Sequence, residues 1–214
     1  RQSRHFAPFY ARLGNALRYP LAGGLAIRAG RTPATPRTRV QNQIPHWLFA
    51  LKDTLAENTV RALALILAHP AVLVRVREEL AVADLATPAG LERLSLLRGC
   101  VQEAMRLWPT TPMLAREAVV ADVLGPGMIP AGMQVAILNG FNHRDGSAVA
   151  NAQGFEPARW GEDAEPDYRF NHLSNGVQGC PGKRLALVVA TAVLGRLLLA
   201  GDYRLVAPQL AGNQ

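Results

Sequence analysis

From Pro45 to Ala68 the chain has few helix breakers, and Pro70 supplies a stop just after His69. As an α-helix this stretch of about 24 residues would be ~36 Å long, enough to cross a whole domain. Most of its positions are apolar all round, which predicts a helix buried in a large core rather than one lying on a surface. A polar island, Lys52-Asp53-Thr54, sits in its middle. A mid-helix threonine usually bonds the carbonyl one turn back, here near Ala50, and can bend the helix. An aspartate there is costly unless it is paired or next to water. A carboxyl and a hydroxyl at such an irregularity could relay protons to a ligand bound alongside. Equally, Asp53 could lie on the wet side of a partly exposed helix.

The remaining elements follow from breakers and caps. Residues 1–44 are rich in Arg, Pro and Gly and form a basic lead-in, with a short helix predicted around 8–18. Residues 71–83 predict an amphipathic helix with charges at Arg75, Arg77, Glu78 and Glu79. Thr87-Pro88 reads as an N-cap followed by Pro at the first helical position. A further helix is predicted over 94–107, stopped by Pro109. Short apolar runs at 119–124 and 133–138, separated by Gly125-Pro126-Gly127 and Pro130-Ala131-Gly132, suggest hairpin strands. Residues 140–180 are mostly irregular, with a short helix near 146–151, and so long an irregular stretch is normally functional. A last helix over 182–199 follows Cys180-Pro181. The fold class is therefore mainly α with a small β region, a lead-in over 1–44 and the main domain over 45–214.

Charge and cysteine content exclude several classes. The net charge of +7 comes from residues 1–40, which hold eight arginines and no acidic side chain. The remaining 174 residues carry 15 basic and 16 acidic side chains. The basic segment has scattered aromatics but no zinc-finger or basic-zipper spacing, so no nucleic-acid partner is expected. Neither Cys100 nor Cys180 belongs to a C-x-x-C pair, which argues against a zinc or thioredoxin-like site. The apolar stretches at 62–68 and 185–200 are too short or interrupted to span a membrane.

Four constellations carry potential chemistry. Gly179-Cys180-Pro181-Gly182 precedes the last helix, where the dipole and free N–H groups favour a thiolate, and Asn175, Gly176, Gly179 and Gly182 permit tight turns. The plainer reading is a structural cysteine in a helix cap. Glu103 and Arg106 lie at i, i+3 on one helix face and can pair, although such pairs are common on surfaces. Glu57 and Arg61 form a comparable pair that reads as solvated. The Phe155–Trp160 loop, with two aromatics and a proline, looks packed, so Arg159 would need a buried acceptor and Glu103 is the natural candidate. The fourth is the Asp53-Thr54 island.

Order and spacing unite the four. Glu103 follows Asp53 by 50 residues, Arg159 follows Arg106 by 53, and Cys180 comes 21 residues after Arg159. From about Pro45 to Val206 the sequence resembles the cytochrome P450 family. His46–Thr54 looks like its long oxygen-binding helix, and Glu103-Ala-Met-Arg106-Leu-Trp-Pro109 like its E-x-x-R helix. Asn142-His143-Arg144-Asp145 with the Phe155–Trp160 loop looks like the segment supplying its second arginine, and Leu173–Gly182 like its haem-ligand loop.

The resemblance implies the carboxy-terminal half of the P450 fold, truncated, with haem b as cofactor. It makes Cys180 the axial ligand to the haem iron, with Gly176 and Gly182 shaping its loop. Arg116 would face a haem propionate, Asp53 and Thr54 would deliver protons, and Glu103, Arg106 and Arg159 would hold the loop. It implies a haem-thiolate monooxygenase inserting one oxygen atom from dioxygen into a small organic substrate. Electrons would come from a ferredoxin- or flavoprotein-type donor, and Lys183 and Arg184 could help dock an acidic one. The hydrophilic character is closer to soluble bacterial members, which implies a cytoplasmic setting. Three departures stand out: Leu173 where the family has an aromatic, Gln178 where it has a basic residue, and Leu51 where it usually has glycine. They keep two alternatives open, a peroxide-using or isomerising relative and a non-catalytic degenerate remnant. As a fragment, the chain is expected to bind haem poorly alone and to expose an apolar face.

Overall fold

The computed structural model describes residues 50–161 and 168–207. The chain forms two compact units, Arg1–Thr54 and Leu55–Gln214. The helix expected around 8–18 and the rest of the 1–44 lead-in lie outside the described residues.

The polar island falls where the helix changes type. Ala50–Leu55 is π-helical and Ala56–Ala68 (α1) is α-helical. The Thr59 hydroxyl donates to the Leu55 carbonyl at 2.7 Å, across that change of type. Such a back-bond competes with the regular ladder. The helix stops at His69, and Pro70–Ala81 (α2) begins at once, as Pro70 demands.

Burial of α1 differs from the sequence expectation. Only one stripe is covered, by Leu55, Asn58, Thr59, Ala62, Leu65 and Ile66, while Val60 remains 65% exposed. A helix that meets its neighbours along one side buries one stripe, even when the other side is also apolar.

Pro88–Glu92 (α3) is capped as predicted, with the Thr87 hydroxyl accepting the Gly90 N–H at 3.1 Å. Ser95–Leu107 (α4) is the central helix, and ten of its residues are buried. Its own N-cap, Leu94, has no side-chain acceptor. Glu79 of α2 fills that role, accepting from the N–H groups of Leu96 at 2.8 Å and Leu97 at 2.9 Å. A carboxylate at a helix N-terminus also meets the positive end of the dipole.

Two antiparallel pairs follow, one nested inside the other. Met113–Glu117 (β1) pairs with Gln134–Leu138 (β4), with Met113 opposite Leu138. Asp122–Leu124 (β2) pairs with Gly127–Ile129 (β3) around Gly125, whose φ of 58° suits glycine. The predicted run at 119–124 is therefore a strand only over its last three residues. Val119, Val120, Val123, Leu124 and Met128 form an exposed apolar group on this hairpin.

A four-residue helix, Asn139–Asn142 (α5), leaves β4. The helix expected near 146–151 is a run of turns instead. There the Asp145 side chain takes the Ser147 N–H and hydroxyl in an Asx turn, and Asn151 has φ 49°. Pro157–Trp160 and Gly176–Gln178 are single 3₁₀ turns, and Lys183–Ala200 (α6) is the last helix among the described residues.

The core lies where α1, α2, α4 and α6 meet, through Ile66, Val76, Leu80, Leu97, Val101, Ala104, Ala190 and Leu194. A smaller cluster of Val149, Ala152 and Phe170, with Trp160 against it, lies beneath the irregular stretch. Among the described residues no single helix is long and apolar enough to cross a membrane.

Candidate functional site

Glu103 and Arg106 are both fully buried, which removes the common surface reading of such a pair. The guanidinium uses all five of its N–H donors. Nε reaches Glu103 Oε2 at 2.9 Å, and Nη2 reaches Glu103 Oε1 at 2.7 Å and the Gly154 carbonyl at 2.9 Å. Nη1 donates to the carbonyls of His143 at 2.7 Å and Ala152 at 2.6 Å. Arg106 thus gathers backbone from three points of the irregular stretch onto α4.

The Glu103 carboxylate is equally saturated. Oε1 also accepts the Glu156 N–H at 3.0 Å, and Oε2 accepts the Trp160 indole N–H at 2.8 Å. Four donors fill the four lone-pair positions of a carboxylate. Arg159, expected to bond this acceptor, finds it occupied. Its Nε stays 3.6 Å from Oε2 without a hydrogen bond, while Nη2 donates to the Ala150 carbonyl at 2.9 Å. Its guanidinium also lies 5.9 Å from the centre of the Phe170 ring. Arg159 contributes charge beside the carboxylate; Trp160 makes the directional bond. The bond expected between Arg159 and Glu103 is thus corrected to one from the Trp160 indole, which lies closer to Oε2.

The Glu57–Arg61 pair also does more than expected. The side chains approach to 3.3 Å, and Arg61 Nη1 donates to the Trp108 carbonyl at 2.9 Å, just past the end of α4. Arg144 bonds the Leu107 carbonyl through Nε at 3.0 Å and Nη2 at 2.7 Å. Two arginines therefore satisfy carbonyls that the helix end leaves open.

Two histidines line the back of the cluster. His143 is fully buried. Its Nδ1 is 3.1 Å from the Arg106 carbonyl, and its Nε2 accepts the Asn171 N–H at 2.8 Å. These partners require a neutral ring with its proton on Nδ1. Burial, followed by the positive Arg106, depresses its pKa. The ring of His172 stands edge-on to Trp160, with centroids 5.0 Å apart, and its Nδ1 is sealed off without a partner. Burial first, then His143, Lys183 and Arg106, push its pKa down from 6.5 to about 3.

For a base whose folded pKa is depressed, the neutral form is favoured by folding. The resulting stability is present above pH 6.5 and is lost as pH falls from there towards 3. We expect a loss on the order of 1 kcal/mol per pH unit over that window. Melting temperatures from pH 7 to pH 4 check this. A His172→Phe variant with an undiminished acid slope would contradict it.

The Cys180 loop is organised by backbone bonds. The Cys180 N–H donates to the Leu173 carbonyl at 2.8 Å, closing a loop over the Gly176–Gln178 turn. Gly176 has φ 63°, with open space where a side chain would begin. Residues 176–181 are all exposed. A Cβ on Gly182 would stand 3.8 Å from the Cys180 sulfur, so a side chain there would flank the thiol. The loop therefore presents a soft sulfur donor, open to solvent, on bare backbone. Cys100 offers the opposite environment: it is fully buried and desolvation pushes its thiol pKa far up. Among the described residues there is no group of three or more side chains able to hold a metal ion, leaving Cys180 as the accessible thiol.

The other predicted residues lie as follows. Asp53 is exposed, with Lys52 Nζ 3.7 Å from its carboxylate, and Thr54 is exposed beside it. Arg116 is half-buried on β1 and donates to the Ala115 carbonyl at 2.8 Å. Arg184 is tied to Glu92 through Nε at 2.8 Å, while Lys183 is exposed.

The sequence is similar to known proteins over most of its length. The family model described as Cytochrome P450 matches residues 32–205. Cytochrome P450 93B16 of Glycine max is 27% identical over 184 residues, which cover 81% of this chain and 35% of that protein. The bifunctional cytochrome P450/NADPH–P450 reductase 2 of Bacillus subtilis (strain 168) is 30% identical over 78% of this chain and 17% of its own length. Trans-cinnamate 4-monooxygenase of Oryza sativa subsp. japonica is 32% identical over 63% of this chain and 29% of its own. The chain spans about a third or less of the length of these curated relatives. With a family match running through the buried Glu103–Arg106 pair and the exposed Cys180 loop, the chain belongs to the cytochrome P450 family.

Proposed function

We propose that this chain is the thiolate-bearing part of a haem-thiolate monooxygenase, with Cys180 as the ligand to the iron of haem b. The observation that carries the reading is the contrast between the two cysteines. Cys180 is exposed on a glycine-shaped loop, and Cys100 is sealed in the core. A thiol must lose its proton to bind a metal, and only an accessible, solvated sulfur can do so cheaply.

When bound, the haem supplies the redox centre at which dioxygen is activated. The chain's own residues do the rest. The Leu173 carbonyl holds the Cys180 N–H, and Gly176 and Gly182 leave the loop beside the sulfur without side chains, where haem would be held. Asp53 and Thr54, both exposed, would deliver protons. Arg116 is the candidate partner for a propionate. Glu103, Arg106 and Arg159 keep the loop's foundation in place. One oxygen atom would enter a small organic substrate, in line with the monooxygenase among the relatives. Electrons would come from a ferredoxin- or flavoprotein-type donor, in line with the fused reductase of another. Lys183 is the freer of the two cations for docking it, since Arg184 is engaged by Glu92. A cytoplasmic setting belongs to the same reading.

Titrating the full chain with hemin, reducing it and adding carbon monoxide tests the assignment. With hemin in excess, to offset the weak binding expected of the chain alone, the unaltered chain and Cys100→Ser are expected to give the red-shifted band of a thiolate ligand. Cys180→Ser is expected to lose it. An unchanged band in Cys180→Ser overturns the reading. Product formed with peroxide alone, and none with reductase and dioxygen, would favour the peroxide-using alternative.

A further inference from the structure

The ring of His143 makes one bond in each direction between two parts of the site. At Nδ1 it meets the Arg106 carbonyl at 3.1 Å, and at Nε2 it accepts the Asn171 N–H at 2.8 Å. Its own carbonyl takes Arg106 Nη1 at 2.7 Å, and its N–H is held by Asn139 at 2.9 Å. The ring is therefore held by α4 at one edge and by the Asn171 N–H at the other, while its backbone is fixed by Arg106 and Asn139. Asn171 continues the path. Its carbonyl accepts the Ser174 N–H at 3.0 Å, and its side-chain oxygen accepts Asn175 Nδ2 at 2.9 Å. The same Asn175 amide also donates to the Phe170 carbonyl at 3.0 Å. These bonds shape the turn over 170–175, where Ser174 has φ 55°. From that turn Leu173 presents the carbonyl that takes the Cys180 N–H at 2.8 Å.

We propose that His143 is the positioning residue that couples the buried Glu103–Arg106 pair to the loop carrying Cys180. Only a group that donates at one edge and accepts at the other can serve both Arg106 and Asn171. Phenylalanine fills the volume and serves neither. Glutamine can accept from Asn171 at the far end but gives up the near one. The functional weight of the coupling rests on Cys180 being the iron ligand, whereas the coupling itself is a property of the chain without haem.

Hydrogen exchange of the full chain, followed by mass spectrometry on peptides spanning 168–182, tests it. His143→Phe is expected to exchange about tenfold faster there, the factor one hydrogen bond supplies, with His143→Gln recovering part of the protection. Peptides from α1 and α2 should stay at their original rates in both variants. Equal exchange over 168–182 in the unaltered chain and His143→Phe overturns the proposal. A second measurement needs no variant. Nitrogen-15 spectra of the unaltered chain at neutral pH should report His143 as the tautomer protonated on Nδ1, and a proton on Nε2 overturns it. Hemin titration separates the two assignments. If the exchange difference stands but no thiolate-type band forms, the ligand role of Cys180 fails and the coupling holds.

Discussion

Replacing Arg106 with leucine is expected to cost about 3–5 kcal/mol, the range for removing one partner of a buried ion pair. Glu103 would lose its two charged hydrogen bonds and keep only Arg159, 3.6 Å away, as a countercharge, and the carbonyls of His143, Ala152 and Gly154 would lose their shared donor. Domains of ordinary stability have about 5–15 kcal/mol in total, so the variant should sit at or beyond the edge of cooperative folding. Lysine should recover only a minor part. Its compact ammonium offers three donors and no fork, against the five bonds that Arg106 makes. Urea unfolding followed by circular dichroism measures both variants. A midpoint for Arg106→Leu within the error of the unaltered chain would mean that the network carries little of the fold.

The second large effect is expected at Gly99. An added Cβ would stand 2.4 Å from the Pro157 carbonyl oxygen, and that neighbour is backbone. Gly99 lies one turn before Glu103 on α4, so the same face that meets Pro157 also carries the carboxylate held by Trp160. Alanine improves intrinsic helix propensity by about 1 kcal/mol. Overpacking a tight contact costs about 1–3 kcal/mol, and a separation this short belongs at the upper end. The clash should win. The helix and the 157–160 turn would part, loosening the Trp160–Glu103 bond. Gly140→Ala is the control, because nothing lies within 4 Å of its added Cβ. Thermal unfolding of the two variants should separate them clearly. Equal melting temperatures would show that the turn yields freely.

Both predictions concern features that local sequence left open. Glu103 and Arg106 share a helix face by spacing alone, and that spacing is equally common on surfaces. Their burial came from what covers α4: the 157–160 turn, the turns after α5, and Phe170 with Trp160. The Trp160 indole took the bond expected of Arg159 because a carboxylate has a finite number of lone pairs. The His143 bridge and the Glu79 cap were silent in sequence, since each joins residues far apart in the chain. The helix predicted near 146–151 is a run of turns, and Asn151 there takes φ 49°, a left-handed conformation that a helix interior does not admit.

By itself the sequence determined the elements whose signals are local. Proline stops placed the ends of α1 and α4, Thr87-Pro88 placed α3, and glycine and proline placed the hairpin between β2 and β3. The order of the Asp-Thr, E-x-x-R and Cys motifs carried the family. Tertiary structure decided which of those residues meet, which face of α1 is covered, and which cysteine is reachable. The physical reason is that burial and hydrogen-bond saturation depend on every neighbour at once, whereas caps and breakers act within one turn of backbone.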